Sequence, residues 1–388
     1  MNHHLPEHDT LTEGVFQALI ENGLEGLSEA LRLLLNEVMK LERTVALQAT
    51  PYERSPERQG YANGFKPKTL RTRVGTIALQ VPQVRGELDF YPSCLEKGTR
   101  SEKALNLALC EMYINGVSTR KVTKIVEKLC GFEVSSSQVS RLTESLDEGL
   151  EKWRSRQIGK IPYLIVDARY EKVRVDGLVR DCALLVAIGV DDTGHRTVLG
   201  TSVSLSEAEV HWREFLKSLS SRGLHGLELI TSDSHTGLKA ARKSVFPGTP
   251  WQRCQFHLQQ NAANYIPKKD MTKDAHADIK AIFDAPSLED ANTFLAKTVE
   301  KYSQTAPKLA TWIEENIPEG LSVFALSSNA RRKLRTTNMV ERQNKELARR
   351  TKVVSIFPNE ESLLRLASAL LMEQDEEWQS ANKVYITM

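Results

Sequence analysis

The sequence predicts an α/β protein: a mixed sheet interrupted by an all-helical insertion and preceded by mainly helical domains. Two patterns carry this expectation. Between residues 161 and 254 short apolar runs alternate with turn signals and an amphipathic segment, as strands do when they exchange with helices. On either side of that region the apolar spacing is helical. Composition agrees, since 40% hydrophobic and 26% charged residues make up the mix of a globular chain. A length of 388 residues exceeds one ordinary domain.

Residues 11–47 place Val15, Leu19, Leu24, Leu27, Leu31, Leu34, Val38 and Leu41 near helical spacing, so 1–50 is expected to be a helical dimerisation or DNA-end-binding region. Residues 51–100 change character. Alternating runs at 68–73 and 77–81 predict a hairpin. Arg54, Lys66, Lys68, Arg71 and Arg73 meet few acids there and are interleaved with Tyr52, Tyr61 and Phe65. That is a phosphate-contacting module, or else a solvated linker. In 101–158 a helix at 104–113 precedes two more, opened by Ser118 and Ser135 as N-caps. A helix, a Gly-containing turn and a Ser-capped helix outline a helix-turn-helix, also common in plain bundles. Its candidate DNA contacts are Arg120, Lys121, Ser135, Ser137, Gln138 and Arg141.

From 159 to 257 the expected order is a strand at 163–167 ending on Asp167, a hairpin of 183–190 with 195–200, and a helix at 206–220. A strand at 226–233 ending on Asp233, a helix at 237–245 and a last strand at 249–254 follow. Helices fill 258–330, and two more are expected at 338–350 and 360–378 within a C-terminal segment 331–388. This is the order of an RNase H-like sheet with a helical insertion before its last acidic helix.

The acids carry the chemistry. Ligands of α/β sheets bind beyond the carboxyl ends of strands, and two carboxylates there are costly unless a cation joins them. Magnesium suits hard oxygen ligands and phosphate. A third carboxylate would let two ions clamp the attacking and leaving oxygens. Each Asp taken alone is equally a strand-end turn former, and Asn338 with Glu341 fits a capping box. The surroundings of Glu341 favour function: Arg331, Arg332, Lys333, Arg335, Arg342, Lys345, Arg349, Arg350 and Lys352 crowd a stretch whose acids are Glu341 and Glu346. Arg335, Arg342, Arg349 and Arg350 are candidate DNA contacts. Cys254 and His257 form one Cys-x-x-His pair. Structural zinc wants four ligands, so zinc is not expected and a bracing role is. His235 lies close to Asp233 as an auxiliary or structural residue. Walker, Rossmann and Ser-His-Asp signatures are absent.

Net charge is +2, so placement of charge rather than its sum points to nucleic acid. Cys94, Cys110, Cys130, Cys182 and Cys254 are odd in number and lack a disulfide framework. The opening MNHHLPEHDTLTEG has no secretory signal pattern, and the apolar run 183–190 is too short to span a bilayer. A cytoplasmic protein is expected.

Seven segments in one order resemble the Mutator-like family of bacterial insertion-sequence DDE transposases. They are Gly116-Val-Ser-Thr-Arg-Lys-Val, Val166-Asp-Ala-Arg-Tyr-Glu-Lys-Val-Arg, Arg222-Gly-Leu, Ser232-Asp-Ser-His-Thr-Gly-Leu, Phe246-Pro-Gly-Thr-Pro-Trp-Gln-Arg-Cys-Gln-Phe-His, Thr336-Thr-Asn-Met-Val-Glu-Arg and Ile356-Phe-Pro-Asn. The likeness runs from about residue 50 to the end and is weakest before it. It implies an RNase H-like domain whose catalytic and metal-binding acids are Asp167, Asp233 and Glu341, served by two Mg2+ or Mn2+ ions. It implies double-stranded DNA as partner, both terminal inverted repeats and target, and a homodimer. Cys254 and His257 match the family's Cys-x-x-His. The alternatives are a junction-resolving or structure-specific nuclease of the same fold, a non-catalytic DNA-binding regulator derived from a transposase, and a small phosphate-ester hydrolase. The basic stretches weigh against the last of these.

Overall fold

The apolar spacing of residues 11–47 folds as two helices, α1 (Glu7–Asn22) and α2 (Leu27–Leu47), broken by a 3-10 turn at Gly23–Gly26. The computed structural model describes residues 7–381 and 383–387. Contacts divide it into two units, Met1–Ser145 and Leu146–Met388.

In the first unit, β1 (Tyr61–Thr72) and β2 (Gly75–Arg85) form the expected hairpin, longer than its alternating runs. Alternate residues of β2, Ile77, Leu79 and Val81, bury against Met39 of α2 and Leu95. Three helices follow: α3 (Lys103–Ile114), α4 (Thr119–Cys130) and α5 (Ser136–Glu144). They share a core of Leu105, Leu109, Val122, Val126, Val134 and Val139. Ser118 caps α4 by accepting from the Lys121 amide, and Gly131, at φ +69°, ends the helix in the left-handed conformation that glycine takes without strain. Ser135 and Gln138 close a reciprocal capping box at the start of α5.

In the second unit α6 (Asp147–Arg154) leads to the sheet strands β3 (Tyr163–Val175), β4 (Leu178–Val190) and β5 (Arg196–Ser204). Then come α7 (Glu209–Ser221), β6 (Leu229–Ser232), α8 (Thr236–Val245) and β7 (Trp251–Arg253). The sheet order is β5-β4-β3-β6-β7. β3 to β5 are antiparallel neighbours, while β6 and β7 run parallel to β3.

The expectation that β3 ends on Asp167 is corrected: the strand runs on to Val175 and turns tightly into β4. Asp176 and Gly177 occupy that turn at φ +50° and +79°, the geometry of a two-residue hairpin loop. Both faces of the sheet are covered there, so β4 from Cys182 to Val190 reads as a continuous apolar run rather than an alternating one. Trp212, Phe215, Leu216 and Leu219 of α7 and Leu238 of α8 fill one side. Gly237 lets α8 approach the start of α7, because a Cβ there would stand 2.3 Å from the Glu207 carbonyl oxygen.

The helical segment comprises α9 (Gln255–Ala262), α10 (Thr272–Phe283), α11 (Leu288–Ser303), α12 (Pro307–Asn316) and α13 (Ser328–Leu334). It has its own core, including Leu258, Ile279, Ile282, Leu309 and Ile313. The chain then returns through α14 (Asn338–Val354) and α15 (Glu360–Ser380), which pack on β3, β4 and β5. Buried Asp375 fixes α15 by accepting from Arg156, the Val198 amide and Thr197. No described helix is long and apolar enough to cross a membrane. All five cysteines are free thiols.

Candidate active site

Asp167 and Asp233 stand level with each other because of strand register. β3 and β6 pair in parallel with Ile165 opposite Thr231. Two residues on, Asp167 is still in β3, whereas β6 has ended at Ser232 and Asp233 begins the loop. The Ser234 amide donates to Asp233 Oδ1 at 2.7 Å, a local turn that holds the carboxylate at the strand mouth.

Glu341 comes from far along the chain, and backbone bonds explain its return. The Thr231 hydroxyl donates to the Leu334 carbonyl at 2.9 Å, and the Gln255 amide to the Arg335 carbonyl at 3.0 Å. The segment leading into α14 is thereby stitched to the ends of β6 and β7. Glu341 sits in the first turn of α14. The expected capping box does not form. Thr337, not Asn338, is the N-cap residue, and its side chain makes no cap bond. The Thr337 hydroxyl instead donates to Glu341 Oε1 at 2.9 Å.

The acids share one electrostatic environment. Burial pushes the Asp167 carboxyl up to about 7. The charges of Asp233 and Glu341 add to that rise, while the Ala168 amide and His257 oppose it. His257 is pushed up to about 9, chiefly by the neighbouring Cys254 sulfur and further by Asp233 and Glu341. Its Nδ1 lies 3.7 Å from Asp233 Oδ1. Burial acts to raise the Cys254 thiol, but His257 and the donors of Thr337 outweigh it and hold the thiol below its usual value. The ligand atoms of Cys254, His257 and Glu341 lie within 4.8 Å of one another.

Four residues that sequence reasoning missed brace the site. The Asn344 side-chain amide donates to Asp167 Oδ2 at 2.7 Å. The Arg169 guanidinium donates to the Asn344 carbonyl and pairs with Glu171 at 2.7 Å. Glu171 in turn accepts from the Thr351 hydroxyl at 2.7 Å. Positions 167, 169 and 171 share one face of β3, and 344 and 351 share one face of α14. The spacing of Asn344, three residues after Glu341, was the available signal.

His235 is the N-cap residue of α8, with Nδ1 3.9 Å from Glu207 Oε2. Of the basic candidates, Arg54, Lys66, Arg120, Lys121, Arg141 and Arg342 are exposed. Lys68 donates to the Tyr91 hydroxyl, Arg71 lies over the Phe132 ring, and Arg73 and Arg335 pair with Glu102 and Asp284. Arg349 and Arg350 both reach Glu346. The Ser135 and Gln138 side chains are committed to the cap of α5, and Ser137 beside them is exposed.

A five-stranded mixed sheet thus carries Asp167 on β3 and Asp233 at the mouth of β6, with Glu341 on the basic helix α14. Residues 7–381 match the family model described as Transposase, Mutator family. The chain is 54% identical to the transposase for insertion sequence element IS406 of Burkholderia multivorans, over 96% of each chain. It is 43% identical to the transposase for ISRM5 of Rhizobium meliloti, over 98% of this chain and 95% of that one. It is 37% identical to the transposase for IS256 in transposon Tn4001 of Staphylococcus aureus, over 98% of each. The chain belongs to the Mutator family of transposases, and it is a DNA transposase.

Proposed function

We propose that this transposase is a DDE enzyme on an RNase H-like sheet, with Asp167, Asp233 and Glu341 as its catalytic acids. The observation that carries the reading is their convergence from β3, the mouth of β6 and the first turn of α14, where each alters the charge environment of Asp167. The strand order β5-β4-β3-β6-β7, with a helical insertion before the helix that bears the last acid, supports the fold assignment.

The donor set fits magnesium or manganese: carboxylate oxygens crowded together, one of them partly buried, are costly without a cation. Two such ions, when bound, supply an activated nucleophile and a stabilised leaving oxygen for in-line displacement. The chain's own residues do the rest. Asp167, Asp233 and Glu341 hold the site, and Asn344 orients Asp167. Arg342, Arg349 and Arg350 on α14 offer charge to the phosphodiester backbone. α4 and α5 form the reader of the element's terminal inverted repeats, with phosphate contacts from Arg54, Lys66 and Arg120. Water cuts a strand and the new 3′-hydroxyl attacks target DNA. A homodimer pairs the two ends, in the cytoplasm where bacterial DNA lies.

The test uses the full chain and duplexes ending in the element's inverted repeat. Asp167→Ala, Asp233→Ala and Glu341→Ala should each bind end DNA like the wild type and fail to nick it in magnesium or manganese. Normal nicking by Glu341→Ala would overturn the assignment. Preference for branched DNA over inverted-repeat ends would favour a structure-specific nuclease.

A further inference from the structure

We propose that Cys254, His257 and Glu341 form a separate site for a borderline divalent cation, zinc foremost, and that zinc bound there withdraws Glu341 from Asp167 and Asp233 and inhibits the enzyme. The inhibitory half rests on the reading of Glu341 as a catalytic acid. The binding half does not.

Sequence reasoning set zinc aside because Cys-x-x-His supplies two ligands, and the fold brings a third. The three ligand atoms lie within 4.8 Å of one another. Zinc bonds of about 2.3 Å to sulfur and about 2.0–2.1 Å to nitrogen or oxygen place tetrahedral ligands under about 4 Å apart. Closing the site therefore requires shifts of about an ångström or less, within reach of side-chain rotation.

Two independent features prepare these atoms as ligands. Cys254 is fully buried, and its sulfur accepts from the Thr337 amide at 3.4 Å. A donor aimed at a buried sulfur stabilises the thiolate, which is the form that binds metal. Cys254 is also the N-cap residue of α9, whose N-terminal dipole favours negative charge. Second, Nδ1 of His257 is buried without a hydrogen-bond partner, though buried polar atoms are almost always satisfied. A metal would satisfy it.

The chemistry selects the ion. A thiolate is a poor ligand for magnesium, while sulfur, imidazole and carboxylate together suit zinc. Three protein ligands leave a fourth position for water. Glu341 keeps one oxygen on the Thr337 hydroxyl at 2.9 Å and has one to give. Binding releases the thiol proton and any proton on Nδ1 to solvent.

Cobalt(II) added to the metal-free full chain is the direct probe. One equivalent should produce a sulfur-to-cobalt charge-transfer band in the near ultraviolet and the strong visible bands of a four-coordinate ion, and zinc should bleach both. Cys254→Ser should abolish the charge-transfer band, His257→Ala should weaken cobalt binding at least about tenfold, and Asp167→Asn should leave the band intact. Zinc-edge X-ray absorption on the wild type should show one sulfur at about 2.3 Å, so the test does not depend on any variant folding. A wild-type spectrum without sulfur ligation, or a band that persists in Cys254→Ser, would end the proposal. Nicking in excess magnesium should fall as zinc fills the site, and unchanged nicking at full occupancy would remove the inhibitory half. If Glu341→Gln nicks normally while the sulfur band stands, the catalytic reading fails and the zinc site survives. If Glu341→Gln is inactive and the wild type shows no sulfur band, the reverse holds.

Discussion

The side-chain amide of Asn344 donates to Asp167 Oδ2 at 2.7 Å, one helical turn beyond Glu341 on α14. The bond links the orientation of one acid to the helix that carries another. Asn344→Ala should raise the magnesium concentration needed for half-maximal nicking and lower the rate by about 10–100-fold, the usual cost of losing a group that orients a metal ligand. Affinity for end DNA and the unfolding midpoint should stay near wild type. Asn344→Asp should be worse, because it adds a carboxylate to a cluster already short of positive charge. A magnesium titration of Asn344→Ala that overlays the wild type would remove the positioning role.

Asp167 itself carries a stability cost. Its carboxyl is pushed up to about 7 by burial and by Asp233 and Glu341, so at neutral pH the metal-free fold holds a charge it disfavours. Asp167→Asn should stabilise the metal-free protein by about 1–3 kcal/mol, as neutralising a crowded functional site often does. Its amide oxygen can still accept from Asn344. The readout is the denaturant midpoint without divalent ions. Magnesium should raise the wild-type midpoint and leave that of the variant unchanged. A variant less stable than the wild type would show that the carboxylate is well compensated.

Local patterns reveal elements, and long-range pairing does not show in them. The hairpin of β1 with β2, the caps at Ser118 and Ser135 and both final helices follow from periodicity and capping residues. The continuation of β3 to Val175 was missed although Asp176-Gly177 is a strong hairpin signal, because polar Arg169, Glu171 and Lys172 interrupt the apolar run. Asn338 with Glu341 looked like a capping box. The backbone before α14 is instead bonded to the ends of β6 and β7, which makes Thr337 the cap residue and frees Glu341 for the site. Cys254 and His257 were visible as a pair. That Glu341 joins them depends on a chain return across the whole helical insertion, which no spacing encodes.

Tyr302 contributes to the alkaline limit of the helical insertion. This hydroxyl is buried, donates to Asp278 at 2.6 Å and is pushed up to about 12, first by burial and then by Asp278. The unfolded tyrosine titrates near 10. Between the two values the folded state holds a proton that the unfolded state has lost, so the stability this group provides is complete below about 10 and disappears as pH rises toward 12. Thermal unfolding followed across that range should show a fall that Tyr302→Phe makes shallower, with a difference of up to about 2–3 kcal/mol. Equal alkaline slopes for both proteins would contradict the assignment.

In the proposed DNA reader, the start of α5 separates side chains spent on the helix cap from side chains left exposed. Ser135 Oγ accepts from the Gln138 amide at 3.2 Å, and Gln138 Oε1 accepts from the Ser135 amide at 2.9 Å. Both side chains are thus spent on the cap, whereas Arg141 and Ser137 are exposed. Ser135→Ala should cost about 1 kcal/mol of stability in the first unit and weaken end-DNA binding through fraying of the helix. Ser135→Asp, an equally good cap, should restore the stability lost in Ser135→Ala. Arg141→Ala should leave stability unchanged, weaken binding, and reduce the slope of log affinity against log salt by about one if the contact is to phosphate. Binding measured at several salt concentrations, alongside unfolding, distinguishes the two roles. If Ser135→Asp recovers stability while sequence preference is lost, then the serine hydroxyl touches DNA directly, and the division between scaffold and reader on α5 has to be redrawn.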